Sequence, residues 1–308
     1  MPRKAKILVI RGGAIGDFIL TLPVLSALRR QFPDAHLEVL GYPHIVQLAV
    51  NGGLADAVRS IEAGPLAGFF ARNGNLDDAL QKYFSEFVLI ISYLFDPDKI
   101  FQTNVTRCTK AQFIAGPHRP KEQDGIHATK VFLQPLERLA IFDADPVPRL
   151  VKSLLAEKEN MADGRRLALH PGSGSPKKNW PEEKWAELLQ HLAGSTSLNF
   201  LLVGGEAEGD RLERIEALLP RARIQLARSL PLTELSCHLE GCAAFIGHDS
   251  GISHLAVAVG VPALILWGES TEAVWRPHGK KVSIIRNADG LAKLPAQSVA
   301  MALKEIIG

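Results

Sequence analysis

The amino-acid sequence predicts an α/β protein made of two doubly wound, Rossmann-like domains, each with a parallel sheet covered by helices. Short aliphatic runs alternate with longer segments of helical periodicity, which is the pattern of βαβ units. The alternation stops at a segment with two prolines, residues 142–148, and then starts again. A chain of 308 residues is also long enough for two separate hydrophobic cores.

The first domain is expected to span residues 1–148. Its strands are predicted near residues 6–10, 36–42, 57–61, 87–93 and 111–116. A helix over residues 17–31 places Phe18, Leu22 and Leu25 on successive turns, and another is predicted from His127 to Ile141. The linker follows directly after this second helix.

The second domain is expected to span residues 149–308. Its strands are predicted at residues 167–170, 200–204, 224–226, 244–247 and 263–267, with helices beginning near Pro181, Ala207, Pro231 and Gly251. The last helix is a candidate to pack back on the first domain. Ligands of such sheets bind beyond the carboxyl ends of the strands, so the strand-to-helix loops are the expected place for a site.

Composition narrows the function classes. The net charge of +2 and the pI of about 8.4 are too mild to indicate a nucleic-acid-binding protein. Three cysteines form neither a disulfide framework nor a zinc knuckle, which suits a reducing cytoplasm. No apolar run approaches the roughly 18 residues that span a bilayer, and the amino terminus lacks the apolar core of a signal peptide. We therefore expect a cytoplasmic protein whose membrane contact, if any, is peripheral.

The first candidate loop follows the first strand and contains Gly12, Gly13, Gly16 and Asp17. It looks like a phosphate-binding turn, but Asp17 stands at the helix entrance. A carboxylate there occupies the positive field of the helix N-terminus and repels a second anion. Asp17 is therefore either a plain helix cap or a group with a chemical role.

The second candidate loop, His170–Pro181, follows a strand of the second domain. Its glycines let the backbone approach a ligand, Ser173 adds a hydroxyl, and Lys177 and Lys178 add mobile positive charge. This chemistry indicates a pyrophosphate site, although the P-loop pattern is absent. An ordinary flexible loop is the alternative.

Two further loops follow on the same sheet. Glu206 comes after a strand end and is a candidate to bind ribose hydroxyls, or else a favourable acid in a first helical turn. Asp249-Ser250-Gly251 opens an apolar helix whose free N–H groups form an anion site. In the simpler interpretation Asp249 is a cap and His254 a packed helical histidine.

The motifs at residues 12–17, 170–181 and 247–254 are spaced as in the heptosyltransferases, glycosyltransferase family 9. The resemblance covers nearly the whole chain. It implies the GT-B architecture, with two domains facing a central cleft. It also implies an inverting, metal-independent transfer of heptose from ADP-heptose to the lipopolysaccharide inner core or a related glycan acceptor.

The resemblance assigns roles to residues of this sequence. Asp17 becomes the general base and Lys178 the cation on the pyrophosphate. Gly12, Gly13 and Gly16 form the acceptor-side loop. The donor, ADP-heptose or another nucleotide sugar, is held by Gly172, Ser173, Lys178, Glu206, Asp249, Ser250, Gly251 and His254. No metal and no other cofactor is expected.

Two further partners are considered, the acceptor and the inner membrane. The acceptor is expected to be a lipid-linked or phosphorylated glycan, which basic residues such as Arg107, Lys110, Arg119 and Lys121 are candidates to bind. Contact with the inner membrane is left open, because burial of Phe69 and Phe70 is favoured over membrane contact. Two D-x-D triplets, 96–98 and 143–145, are expected to be incidental, since Asp98 would start a helix and Asp145 precedes a proline. A nucleotide-sugar epimerase and a noncatalytic sugar-nucleotide sensor are the alternatives.

Overall fold

The computed structural model describes residues 4–150, 165–205 and 208–307. The chain divides into two compact units, Met1–Leu150 and Val151–Gly308. Each unit contains a sheet with parallel strand pairs, and both sheets are doubly wound. The predicted α/β class with two such sheets is confirmed.

The first unit carries strands β1 to β5 and helices α1 to α6. The strands are Lys6–Arg11, His36–Gly41, Ala57–Ser60, Leu89–Ser92 and Gln112–Ala115. The helices are Ile15–Ile19, Leu22–Gln31, Pro43–Asn51, Asp78–Ser85, Ile100–Thr106 and Ala128–Leu133. Short 3₁₀ helices cover Gly64–Phe70, Glu122–Asp124 and Gln134–Leu139.

The central strand β1 shows why the first sheet forms. Successive side chains of a strand point to opposite faces, and both Leu8 and Val9 are buried, so both faces of the sheet are covered. Arg11 at the end of β1 pairs with Gly41, and Ile10 pairs with Ser92. The loops that follow β1, β2 and β4 therefore leave the sheet at the same edge.

Two helices of the first unit differ from the prediction. The helix expected over residues 17–31 is divided into α1 and α2, because Pro23 has no N–H to donate to the carbonyl of Ile19. The hydroxyl of Thr21, between the two helices, donates to the carbonyl of Asp17 at 2.8 Å. The helix expected from His127 to Ile141 is α6 followed by a 3₁₀ helix that contains Pro135. In both places a proline inside an apolar periodic pattern ends the α-helix.

The second unit carries strands β6 to β11 and helices α7 to α12. The strands are Arg166–His170, Asn199–Gly204, Ile224–Arg228, Ala244–His248, Ala263–Leu266 and Val282–Ile285. The helices are Glu182–Ser195, Arg211–Glu216, Leu232–Glu240, Gly251–Ala258, Glu272–Trp275 and Ala296–Ile307. Short 3₁₀ helices cover Pro176–Lys178, Arg221–Arg223 and Leu291–Lys293. The strand order is β3-β2-β1-β4-β5 in the first sheet and β11-β10-β9-β6-β7-β8 in the second.

Most strands of the second unit begin and end within two residues of the predicted positions, but β11 is an edge strand that the sequence analysis missed. Ala207, where a helix was expected to begin, lies outside the described residues, and α8 begins at Arg211. The last helix, α12, packs against α7 and β10 within the second unit. None of the helices in the described ranges is long and apolar enough to cross a bilayer.

Candidate active site

The glycine-rich loop after β1 places Asp17 in the first turn of α1. The backbone N–H of Ala14 donates to Asp17 Oδ2 at 3.1 Å, and about a third of the Asp17 side chain is exposed. Gly13 has a φ of +100°, and a Cβ built on it would lie 2.8 Å from the same carboxylate oxygen. The turn therefore requires glycine at position 13, both for its left-handed backbone and for its close approach to the carboxylate. Asp17 is fixed by this turn and remains reachable from solvent.

The other two glycines of this loop are less constrained. A Cβ on Gly12 would meet Leu94 at 3.5 Å, an ordinary contact distance. Gly16 lies inside α1, next to Asp17. A glycine at position 12 is thus not required by packing, and its assignment to the acceptor-side loop stays a prediction.

Arg11 is a site residue that the sequence analysis did not single out. It ends β1, is almost fully buried, and stacks on the ring of Phe132 with 4.5 Å between the guanidinium carbon and the ring centroid. Its guanidinium donates to the carbonyls of Asp17 and His118 and lies 3.6 Å from the Asp17 carboxylate. Burial lowers the pKa of Arg11, and the Asp17 carboxylate acts in the opposite direction. The sequence feature that could have identified Arg11 is its position as a charged residue at the end of an otherwise apolar strand.

The second unit folds the loop after β6 around Ser173. The Ser173 hydroxyl lies 2.8 Å from the carbonyl oxygen of Ser175 and 2.6 Å from Oδ1 of Asn179. The single hydroxyl hydrogen of Ser173 is therefore used within the loop, and its predicted contact with a pyrophosphate stays a prediction. Gly172 has a separate reason to be glycine, since a Cβ there would lie 1.8 Å from a carboxylate oxygen of Glu208.

Lys178 lies at the end of the 3₁₀ turn in this loop and forms an ion pair with Asp249. The Lys178 ammonium lies 2.6 Å from Asp249 Oδ2, and the hydroxyl of Ser270 donates to the same oxygen at 2.6 Å. The Asp249 side chain is nearly buried, whereas the Lys178 side chain is 41% exposed. Two predicted donor-binding residues are thus brought together, and Ser270 joins them although the sequence analysis did not select it.

The turn from β9 into α10 is capped by Ser250. Its Oγ accepts a hydrogen bond from the backbone N–H of Ser253 at 3.3 Å, so Ser250 and not Asp249 is the helix cap. Gly251 is the first residue of α10 and follows Asp249 by two positions. His254 is buried on α10, and its predicted contact with phosphate stays a prediction.

Two buried histidines lie beneath these loops. Burial lowers the pKa of His170 to about 3, and the neighbouring His248 adds to this effect. Burial likewise lowers the pKa of His248 to about 4. Nδ1 of His170 lies 3.3 Å from the Ser250 hydroxyl, and its Nε2 lies 3.8 Å from Glu208. Both rings are therefore neutral at ordinary pH and act as hydrogen-bonding groups.

Glu206, the acid after β7 that was predicted to bind ribose hydroxyls, lies outside the described residues. Glu208 is buried, and it accepts a hydrogen bond from the N–H of Gly205 at 2.6 Å. A cavity of about 250 Å³ lies beside it. The lining residues are Gly174, Ser175, Pro176, Asn179, Glu208, Asp210, Arg211 and Arg214.

The D-x-D triplets have structural contacts. Asp96 accepts hydrogen bonds from the N–H groups of Phe101 and Gln102, so it is Asp96 and not Asp98 that binds the start of α5. Asp98 forms an exposed ion pair with Arg72 at 2.9 Å. Asp145 accepts from the N–H of Val147 at 3.0 Å. Among residues 4–150, 165–205 and 208–307, no group of three His, Cys, Asp or Glu side chains is placed to hold a metal ion.

The two phenylalanines at the end of the first 3₁₀ helix have different surroundings. Phe69 is fully buried in the core of the first unit. Phe70 is 45% exposed and stacks on Phe101 with 4.9 Å between ring centroids. The predicted burial is therefore confirmed for Phe69. The Phe70 ring is only partly buried, because it stacks on Phe101 and remains 45% exposed.

Comparison with known proteins identifies the family. The model of glycosyltransferase family 9 (heptosyltransferase) matches residues 143–304, just over half of the chain. Lipopolysaccharide heptosyltransferase 3 of Escherichia coli K12 is 22% identical, with 95% of each chain covered. The structure of E. coli ADP-heptose lps heptosyltransferase II matches with a TM-score of 0.81 at 18% identity over 98% of both chains. E. coli heptosyltransferase WaaC, solved with ADP, matches with a TM-score of 0.73 at 19% identity over 98% of this chain and 99% of that one. The chain therefore belongs to glycosyltransferase family 9, the heptosyltransferase family, and is a glycosyltransferase of the GT-B fold class.

Proposed function

We propose that this enzyme transfers heptose from ADP-heptose, with inversion and without a metal ion, to the lipopolysaccharide inner core or a related glycan. The observation that carries the proposal is the partly exposed side chain of Lys178, whose ammonium pairs with Asp249, the residue before the N-cap of α10. A lysine and a helix N-terminus supply positive charge for a diphosphate, which is the task of a metal ion in metal-dependent transferases. The ADP in the WaaC structure supports the choice of nucleotide.

The reaction forms one bond and breaks one bond at the anomeric carbon. The acceptor hydroxyl oxygen attacks this carbon from the face opposite the diphosphate, and its proton passes to the carboxylate of Asp17. The bond between the anomeric carbon and the phosphate oxygen breaks, and ADP leaves with the electron pair. Lys178 and the first N–H groups of α10 stabilise the negative charge that develops on the leaving diphosphate.

Asp17 suits the role of general base because its carboxylate is fixed but not enclosed. Its Oδ2 is held by the N–H of Ala14, and Arg11 lies behind the turn at 3.6 Å from Oδ1. About a third of the side chain is open to a substrate hydroxyl. A base that is positioned before the substrate arrives needs no reorganisation during proton transfer.

The acceptor is proposed by its chemical class. The relatives act on lipopolysaccharide or lipooligosaccharide by name, so we propose a lipid-linked or phosphorylated glycan as the acceptor and the cytoplasm as the place of reaction. Arg107, Lys110, Arg119 and Lys121 are candidates to bind its anionic groups. The exposed edge of Phe70 is the candidate for contact with a membrane surface.

The test is a transfer assay with purified protein, ADP-heptose and a heptose-deficient lipopolysaccharide core. We expect ADP release that depends on the acceptor, a product with inverted anomeric configuration by NMR, and full turnover after EDTA treatment. Loss of turnover in EDTA that Mn²⁺ restores would contradict the metal-free mechanism. Conversion of the donor alone to a sugar isomer would indicate an epimerase, and ADP binding without any turnover would indicate a sensor.

The role of the Lys178 ammonium in ADP binding is tested by substituting two neighbouring lysines. Lys178→Met is expected to weaken ADP binding by about 10-fold or more, because a charge-assisted contact to the diphosphate is lost. Lys177→Met is the matched control, because Lys177 lies in the same turn, whereas the ammonium that pairs with Asp249 belongs to Lys178. Equal effects of the two substitutions would argue against a specific role for Lys178.

A further inference from the structure

His248 lies at the carboxyl end of β9, directly before Asp249, and is fully buried. The N–H of Trp180 donates to its Nε2 at 2.9 Å, and its Nδ1 lies 3.1 Å from the carbonyl oxygen of Gly172. Because Nε2 accepts a hydrogen bond, the ring hydrogen must be on Nδ1, from which it is donated to Gly172. The ring is thus a neutral histidine with a defined tautomer, and both of its nitrogens are used.

The two partners of His248 lie at opposite ends of one loop. Gly172 comes two residues after β6, and Trp180 comes two residues before α7, so the ring connects the entry and the exit of the loop that carries Lys178. The next residue, Asp249, binds the Lys178 ammonium at 2.6 Å. Two consecutive residues at the end of β9 therefore hold the loop at its beginning, at Lys178 and at its end.

The ring itself has little freedom to move. Trp185 contacts it edge-on, with 5.7 Å between ring centroids and 80° between the planes. Trp185 in turn packs against Trp180 at 5.4 Å, and the indole N–H of Trp180 donates to the carbonyl of Leu294 at 3.1 Å. The two hydrogen bonds are therefore made from a rigid part of the core to a glycine-containing loop.

We propose that His248 is a positioning residue, which gives the 171–181 loop its ligand-binding conformation before the nucleotide sugar arrives. This inference rests on the proposed role of Lys178 in binding the diphosphate. A loop with two glycines and no secondary structure beyond one 3₁₀ turn would otherwise lose conformational entropy when it binds. His248 removes this cost by fixing both ends of the loop in the free enzyme.

The two hydrogen bonds can be removed one at a time. In His248→Asn the side-chain amide is near the position of Nδ1, so the donor to Gly172 is kept and the acceptor for Trp180 is lost. In His248→Gln the amide reaches the position of Nε2, so the acceptor is kept and the donor is lost. His248→Leu removes both. His191→Asn, at an exposed position of α7, is the matched control.

The readouts are the Kd of ADP by calorimetry, the donor KM against kcat, and the thermal midpoint. We expect each single-bond variant to weaken ADP binding by about 10-fold, with a raised donor KM and a smaller change in kcat, while the control binds as the wild type does. Combining His248→Leu with Lys178→Met is expected to weaken binding by clearly less than the product of the separate effects. Such coupling is expected if His248 acts through the loop.

The outcomes separate this inference from the proposed function. If Lys178→Met leaves ADP binding unchanged, the proposed role of Lys178 is wrong and the positioning role has nothing to act on. If Lys178→Met weakens binding but all three His248 variants bind ADP as the wild type does, the inference is overturned while the proposed function stands. A lower thermal midpoint with unchanged ADP affinity of the folded protein would likewise reduce His248 to a packing role.

Discussion

The stability of the second unit is expected to fall as the pH falls below about 6.5. His248 has its pKa lowered to about 4 by burial, whereas a histidine in the unfolded chain titrates near 6.5. Between these two values the unfolded chain binds a proton that the folded chain does not, so acid favours unfolding. Protonation of the folded protein would also remove the lone pair that accepts the Trp180 N–H.

The magnitude follows from the separation of the two pKa values. Each such histidine costs about 1.4 kcal/mol of unfolding free energy per pH unit, or about 2 kcal/mol between pH 6.5 and pH 5. His170, with a pKa of about 3, acts in the same direction and can double the loss, although Glu208 at 3.8 Å from its ring opposes the shift. A loss of about 4 kcal/mol is a large fraction of the total stability of a typical domain, about 5–15 kcal/mol.

The assay is urea unfolding at several pH values, followed by tryptophan fluorescence. All four tryptophans, Trp180, Trp185, Trp267 and Trp275, belong to the second unit, so the signal reports on that unit. His248→Asn cannot be protonated, and its unfolding free energy should depend less steeply on pH than that of the wild type, whatever its absolute stability. An unfolding free energy that is constant from pH 7.5 to 4.5, or an equal slope in the variant, would refute the reasoning.

Three substitutions test other contacts. Gly13→Ala adds a Cβ that meets Asp17 Oδ2 at 2.8 Å in a left-handed turn, so we expect a loss of at least about 1 kcal/mol in urea unfolding together with reduced kcat; an unchanged protein would contradict the close approach. Arg11→Met leaves the carbonyls of Tyr93 and His118 without this donor and should cost about 2–4 kcal/mol by circular dichroism, whereas a change within about 0.5 kcal/mol would show that the buried contacts contribute little. Ser270→Ala frees Asp249 from a second donor and should raise the KM for ADP-heptose by about threefold to tenfold with little change in kcat; a fall in kcat at constant KM would place Ser270 in the chemical step instead.

The central strands could be predicted because they are buried on both faces and form nearly continuous apolar runs. β1 and β9 begin and end within one residue of the expected positions, and the loops that follow them are the ones singled out. β11, Val282–Ile285, is a short and partly exposed edge strand that was missed, although β3, which shares these properties, was predicted. The long predicted helices were wrong where Pro23 and Pro135 interrupt apolar patterns that otherwise continue.

Other contacts at the site depend on pairs of residues that are far apart in the sequence. His248 contacts Gly172 and Trp180, which precede it by 76 and 68 positions. The residues around His248 in the sequence do not predict either contact. Arg11 contacts the carbonyl of His118 across 107 positions. The motifs therefore predict the location of the candidate site, whereas the contacts that hold its loops in place could be found only in the structure.

The most direct test of the central claim is the single-turnover rate of heptose transfer by Asp17→Asn, measured beside its Kd for ADP. Asparagine keeps the size of the side chain and an oxygen for the Ala14 N–H, but it cannot accept the proton of the acceptor hydroxyl. We expect transfer to be slower by about 100-fold or more, with the Kd for ADP within about twofold of the wild-type value. Transfer near the wild-type rate would contradict the assignment of Asp17 as the general base.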